Sequence, residues 1–361
     1  MDRVVILALD DLRHITMSRI YTDFFDEKGI LYDIICMDRY DHTGSKNACD
    51  NIYSYKGTNV SDSKIKKLIN YFNYRRYAIS VIKKNKYKYI IVWGERTATV
   101  FSDFLIAHKP YCVNIRDLWF PKLSLILNRF QHAVDNSDFS TWCAPKGQEY
   151  LPKHDYVIVY NQNKSLVNGV NPAKCFVKKG EPIHIGAIGY IRHLEPAKQI
   201  MKAFCNDKRF IVQFFGTGSE QLNSYANELK MKNIEIVGSF KPEQTASLIQ
   251  RIDIVNCYCG NGSQDKTIAI GTPIRYGYST MLYKPAIVSP NTYISEKTNK
   301  LNIALTFDED NNFPSRLYEW YHNMEFTSFV TRCNEFNDEI SDTLLDFQQV
   351  CEQKIIPLLR R

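Results

Sequence analysis

Ile183-His-Ile-Gly-Ala-Ile-Gly189, Phe210-Ile-Val-Gln-Phe-Phe-Gly-Thr-Gly-Ser-Glu220, Ile234-Glu-Ile-Val-Gly-Ser-Phe240 and Ile252-Asp-Ile-Val-Asn-Cys-Tyr258 are four short apolar runs separated by helix-length amphipathic segments. Thr272-Pro-Ile-Arg-Tyr-Gly-Tyr-Ser-Thr280 and Lys284-Pro-Ala-Ile-Val-Ser289 close the stretch. Strands alternating with helices at this spacing predict a parallel sheet with helical crossovers. Such sheets take ligands at the carboxyl ends of their strands. Arg192, Lys198 and Arg275 fall at or just beyond those ends, so the expected ligand is anionic.

The residues before this stretch read the same way. Val4–Leu9, Tyr32–Met37, Tyr89–Trp93, Tyr111–Ile115, Phe139–Ala144 and Tyr156–Tyr160 are strand-like. Helical patterns at 17–28, 62–85, 97–107, 121–134 and 146–151 stand between them, and a polar loop covers Asp41–Lys46. At 361 residues the chain suits two cores better than one. The Asn-, Lys- and Gly-rich segment 161–181 is the expected linker, and an amphipathic helical tail begins at Phe313. The expected division is an N-terminal domain over 1–165, a C-terminal domain over 182–330 and a final helix over 331–361.

A hydrophobic content of 44% excludes a disordered chain. The net charge of +7 suits a phosphate-bearing ligand or an acidic membrane surface. The ten Cys are scattered without a C-x-x-C pair, which predicts reduced thiols. Asp10 and Asp11 end the first apolar run too early for a signal peptide. No apolar stretch is long enough to span a bilayer, and no His, Asp or Glu cluster has metal-ligand spacing.

Three motifs carry chemistry. Gly189-Tyr-Ile-Arg-His-Leu-Glu-Pro-Ala-Lys198 leaves a strand and enters a helix, so Arg192 and Lys198 are expected to aim two cations at one diphosphate. There they would stabilise charge that grows on a departing group. Gly216-Thr-Gly-Ser-Glu220 is a two-glycine strand-to-helix turn, which reads equally as a bland tight turn. Pro273 and Arg275 mark the start of a further helix, where an unliganded arginine is electrostatically unhelpful. Separately, residues 63–90 carry nine Lys or Arg and no acid, with Leu68, Tyr71, Phe72 and Ile79 at helical spacing. That is either a core-packed helix with a solvated basic face or a helix that lies on anionic lipid. No nucleic-acid-binding signature accompanies it.

In their order, with a slightly longer spacing after Gly189, these motifs resemble the nucleotide-sugar domain of GT-B glycosyltransferases of the retaining family-4 type, especially bacterial capsule and O-antigen enzymes. Gly189, Arg192 and Lys198 match the family's glycine and donor-diphosphate cations, and Gly216 and Gly218 its G-x-G turn. The strand running into Phe240 resembles its base-cradling segment. Pro273, Arg275 and Pro285 match its P-x-K…P block, placing Tyr276 and Tyr278 in the donor site. Tyr278 stands where the family holds the donor ribose with Glu, and Arg116-Asp117 stands where it has His-Asp. The resemblance implies that Asp117 faces the acceptor or donor sugar; an ordinary helix-cap Asp is the plain alternative.

It also implies two Rossmann-like domains facing across a cleft, with the final helix returning to the first. The implied function is metal-independent transfer, with anomeric retention, from a nucleotide-diphosphate sugar, a UDP-sugar first. The implied acceptor is a polyprenyl-diphosphate-linked oligosaccharide at the cytoplasmic face of the inner membrane, reached through basic helix 62–85. No cofactor is expected. The rival readings are a nucleotide-sugar 2-epimerase and a non-catalytic sugar-nucleotide-binding protein.

Overall fold

The computed structural model describes residues 2–38, 51–57, 63–117, 124–162, 167–241, 244–310 and 312–359. The polar loop at Asp41–Lys46 and the expected helix start at 121 lie outside them. The chain divides into two compact units, Met1–Tyr160 with Asp342–Arg361, and Asn161–Ser341.

The first unit is a seven-stranded parallel sheet in the order β3-β2-β1-β4-β5-β6-β7. Its strands are β1 Val4–Ala8, β2 Tyr32–Asp38, β3 Asn51–Lys56, β4 Tyr89–Trp93, β5 Tyr111–Ile115, β6 Ser140–Trp142 and β7 Tyr156–Ile158. The three central strands are buried along their whole length, which is why they read as unbroken apolar runs: helices cover both faces of a parallel sheet. Those helices are α1 Arg19–Lys28, α2 Lys64–Asn85, α3 Glu95–Ala107 and α4 Ser124–Asp135. Gly29 ends α1 in the left-handed conformation at φ 66 and donates its N–H back to Asp26.

Two features depart from the sequence reading. β3 is an added edge strand, and the expected helix at 146–151 is a single 3-10 turn over Gln148–Tyr150. That turn lies between Gly147 in the left-handed region and Pro152, which together leave no room for a full helix.

The second unit is a six-stranded parallel sheet in the order β10-β9-β8-β11-β12-β13. Its strands are β8 Ile183–Ile188, β9 Phe210–Phe215, β10 Ile234–Gly238, β11 Ile254–Asn256, β12 Ala286–Val288 and β13 Ala304–Thr306. The helices are α5 Leu194–Ala203, α6 Asn223–Glu228, α7 Thr245–Gln250, α8 Lys266–Ile270, α9 Ile274–Met281, α10 Tyr293–Leu301, α11 Phe313–Asn323 and α12 Phe326–Lys354, with α13 Ile356–Leu359 after them. One core joins Ile185, Val212, Phe214 and Ile254 of the strands to Ile200 and Phe204 of α5 and Phe313, Leu317 and Tyr321 of α11.

α12 begins in the second unit and ends in the first. In the first, Phe347 meets the Tyr21 ring edge-on at 4.9 Å and Glu352 pairs with Lys28 at 2.6 Å. Among the described residues no helix is long and apolar enough to cross a membrane.

Candidate functional site

In an open parallel sheet the loops diverge where strand order reverses, and ligands bind there, beyond the strand ends. In the second unit that point lies between β8 and β11. The chain leaves β8 through Gly189, at φ 107, and leaves β9 through Gly216 and Gly218, at φ 138 and φ 94. These two exits lie backbone on backbone. Gly189 N–H donates to Phe215 O at 2.9 Å, Ile191 N–H to Thr217 O at 3.0 Å, and Gly216 N–H to the β10 exit at Gly238 O, 2.7 Å. A Cβ on Gly216 would stand 1.7 Å from Gly189 O, and one on Gly218 would stand 2.6 Å from Ile191 O.

Both glycines of the G-x-G turn are therefore demanded by the packing of the loop that carries Arg192. Glu220 completes the brace, accepting from Gly218 N–H at 2.8 Å and Ser239 N–H at 2.9 Å. Its own backbone N–H, together with those of Ser239 and Gly218, holds its carboxyl below the usual range. Half-buried Phe240 follows directly.

Beyond this brace the cations gather. Arg275 lies in the first turn of α9, after Pro273. Its guanidinium donates to Asn256 O at the β11 exit, 3.3 Å, and to Tyr190 O at the β8 exit, 3.4 Å. It thus spans both lips of the crevice. Exposed Arg192 places its guanidinium 5.3 Å from the centre of the Tyr190 ring. His193 stands among them. Burial lowers its pKa, the charges of Arg275 and Arg192 lower it further, and Asp265 opposes them.

The neighbouring helix starts reinforce this positive field. α8 is capped by the Asp265 carboxylate and α10 by a Thr292–Ser295 capping box. α5 and α9 begin at His193 and Pro273 without a side-chain cap. Their first N–H groups, with the positive ends of both helix dipoles, suit an anion. The structure therefore adds His193 and Asp265 to the residues read from the sequence. A single His or Asp in a loop carries no pattern that would have found them.

Lys198 is not brought to this point. Its ammonium pairs with Glu195 one turn back, at 2.6 Å, and lies 5.6 Å from the Tyr225 ring of α6. Tyr276 faces the core: it is buried edge-on to Phe336 at 5.2 Å, and its hydroxyl has no partner among the described residues. Tyr278 is half-buried one turn after Arg275; burial raises its pKa and the guanidinium opposes the rise.

In the first unit the corresponding reversal lies between β1 and β4. Thr97 Oγ1 accepts the Leu9 N–H at 3.0 Å and so ties the β1 exit to α3. Glu95, the first residue of α3, is 7% exposed. Burial pushes its carboxyl up to about 7, and the charges of Asp117 and Asp10 add to the rise. The sequence reading started this helix two residues too late and passed over Glu95. Asp117 is exposed just after β5. Its neighbour Arg116 is a structural clamp, donating to Val159 O at 2.8 Å and Asn114 Oδ1 at 3.0 Å, with Trp93 5.7 Å away. Among the described residues no group of His, Cys, Asp and Glu is arranged to hold a metal ion.

No protein-family model and no curated protein matches the sequence. Solved structures do match over the whole length. Sucrose-phosphate synthase from Thermosynechococcus elongatus aligns with a TM-score of 0.73 at 11% identity, over 98% of this chain and 99% of that one. Anabaena HepE in complex with UDP aligns at 0.62 and 11%, over 98% and 99%. A putative UDP-N-acetylglucosamine 2-epimerase from Listeria monocytogenes aligns at 0.60 and 12%, over 91% of each chain. With two parallel α/β sheets of seven and six strands, the chain has the fold that these structures share, the GT-B fold.

Proposed function

We propose that the protein is a glycosyltransferase that moves a sugar from a nucleotide-diphosphate donor, a UDP-sugar, to a polyprenyl-diphosphate-linked oligosaccharide in bacterial capsule or O-antigen synthesis. The observation that carries this reading is the joint placement of Arg192, His193 and Arg275 at two uncapped helix starts. Two cations and two uncapped helix starts beside one strand reversal suit a diphosphate. As the sugar–oxygen bond breaks, negative charge grows on the leaving diphosphate, and preorganised donors stabilise it more than the ground state. These charges do the work that a divalent metal does elsewhere. Lys198 joins them only by giving up Glu195.

The matched structure that carries UDP supports uridine as the donor base. Residues 182–330 hold the donor and 1–165 the acceptor, with Asp117 and Glu95 at the acceptor edge. Retention of the anomeric configuration follows the family resemblance. The protein works as a peripheral protein at the cytoplasmic face of the inner membrane, held by basic helix 62–85.

The test is thermal shift against UDP, GDP, CMP and dTDP, repeated with Arg275→Ala and Arg192→Ala. A shift with one diphosphate that both variants lose supports the site, and no shift with any diphosphate sinks it. The epimerase among the matched structures keeps a second reading alive. Interconversion of UDP-sugars without an acceptor would favour it.

A further inference from the structure

Six of the eleven large apolar side chains exposed among the described residues lie on two helix ends of the first unit. Ile65, Leu68, Ile69 and Phe72 occupy the first half of α2, and Leu125 and Leu127 the first turn of α4; each is 45–72% exposed. Contiguous apolar surface of this kind marks a contact site on a soluble domain.

The α2 residues fall at i, i+3, i+4 and i+7, so they share one face of the helix. The buried face is carried by Tyr74, Ala78, Val81 and Ile82 in the second half, roughly opposite on the helical wheel. Continued along the helix, the exposed stripe turns basic at Arg76 and Lys83, both exposed. The helix thus has an outward face that is apolar over its first half and cationic over its second.

The two helix ends also point to one edge of the sheet. Asp103 of α3 accepts from Arg75 of α2 at 2.7 Å and from Arg129 of α4 at 2.6 Å, which sets the three helices level at that point. All three connect parallel strands and therefore run in one direction. At about 1.5 Å per residue, Leu68 lies roughly 10 Å, Glu95 roughly 12 Å and Leu125 roughly 6 Å from this level, all towards the carboxyl ends of the strands. The apolar side chains flank the edge at which Glu95 and Asp117 stand.

We infer that the first halves of α2 and α4 are the surface by which this protein lies on an anionic bilayer, with Ile65, Leu68, Ile69 and Phe72 entering the acyl boundary. Charge selects this occupant. The run from Ser63 to Gly94 contains no acid, so the outward face repels a second copy of itself and attracts anionic headgroups. Apolar insertion at the acceptor edge brings lipid-linked hydroxyls to the carboxylates there, while Arg76 and Lys83 rest on phosphates. The inference deepens the lipid-linked acceptor reading and takes its purpose from it. It also shifts the weight of attachment from the basic second half of α2 to the apolar first half.

The experiment is co-sedimentation of the full chain with phosphatidylcholine vesicles holding 30 mol% phosphatidylglycerol. The wild type is expected to sediment, and I65S/L68S/I69S/F72S to bind at least tenfold more weakly with unchanged far-UV circular dichroism. L125S/L127S, a milder change, is expected to weaken binding several-fold, so the idea stays testable if the first variant misfolds. A wild type that stays in the supernatant, or variants that sediment like it, would overturn the inference. So would a dimer in light scattering that the variants dissociate, because the patch would then belong to a second copy. UDP-induced thermal shift, measured on the same samples, separates the two readings: vesicle binding without a UDP response leaves the surface standing and removes the transferase.

Discussion

Gly216→Ala is the sharpest test of the brace beneath the candidate site. An added Cβ would stand 1.7 Å from Gly189 O, where real contacts stay beyond 3.0 Å, so the two loops must part by about 1.3 Å. Parting them strains or breaks the bonds Gly189–Phe215, Ile191–Thr217 and Gly216–Gly238. At about 1 kcal/mol net each these amount to about 3 kcal/mol. The φ of 138 adds about 1–3 kcal/mol of backbone strain for any side chain.

Gly180→Ala is the matched control: its φ is 100, it lies in the same unit, and nothing stands within 4 Å of its added Cβ. It carries the strain without the clash. Differential scanning calorimetry should therefore place Gly216→Ala about 3 kcal/mol below Gly180→Ala. For a unit of about 180 residues that is roughly 6–12 °C in midpoint. Because the displaced loop carries Arg192, the UDP-induced shift should vanish in Gly216→Ala and survive in Gly180→Ala. Two variants that melt within 1 kcal/mol of each other would refute the reasoning, because the brace would then yield freely.

Other consequences follow from single groups. Glu95 keeps its proton up to about pH 7 in the folded chain against 4.5 when free, so between these values the native state binds the extra proton and stability falls as pH rises. Glu95→Gln should flatten a decline of about 3 kcal/mol across pH 4.5–7 in urea titrations, and an unchanged slope would count against it. Tyr276→Phe removes a buried hydroxyl that lacks a partner; it should leave UDP binding intact and change stability by less than about 1 kcal/mol or raise it. Lys198→Ala should cost little UDP-induced shift beside Arg275→Ala, since Glu195 already holds the ammonium; an equal loss in both would show that Lys198 swings to the donor.

The central strands were legible because burial on both faces makes them continuous apolar runs, as in Val4–Ala8, Tyr89–Trp93 and Ile183–Ile188. β3 was not, because Asn51-Ile-Tyr-Ser-Tyr-Lys56 is a half-exposed edge strand with polar residues interleaved. β13 has only three residues, too few to show a period. In the candidate site, glycine and arginine stood out by type, and the fold places Gly189, Arg192 and Arg275 around one strand reversal. Lys198 stands apart, paired with Glu195 of the same quoted segment, because spacing along the chain counts cations without their partners. Glu95 was hidden by its neighbours: an acid at a helix start is ordinary, and only burial beside Asp117 and Asp10 makes this one unusual.

The split of the first unit, with α12 passing from the second unit into the first, has a consequence for synthesis. Phe347, Cys351 and Ile355 are fully buried there, yet they are made only after the whole of 161–341. The chain that emerges first must wait for about 180 further residues, which is roughly 10–40 s at ribosomal rates. Meanwhile 161–341 is contiguous and can fold as soon as it leaves the ribosome. Order of emergence and order of completion are thus reversed. For those seconds the Tyr21 ring of the nascent first unit is without the Phe347 edge that covers it in the finished unit.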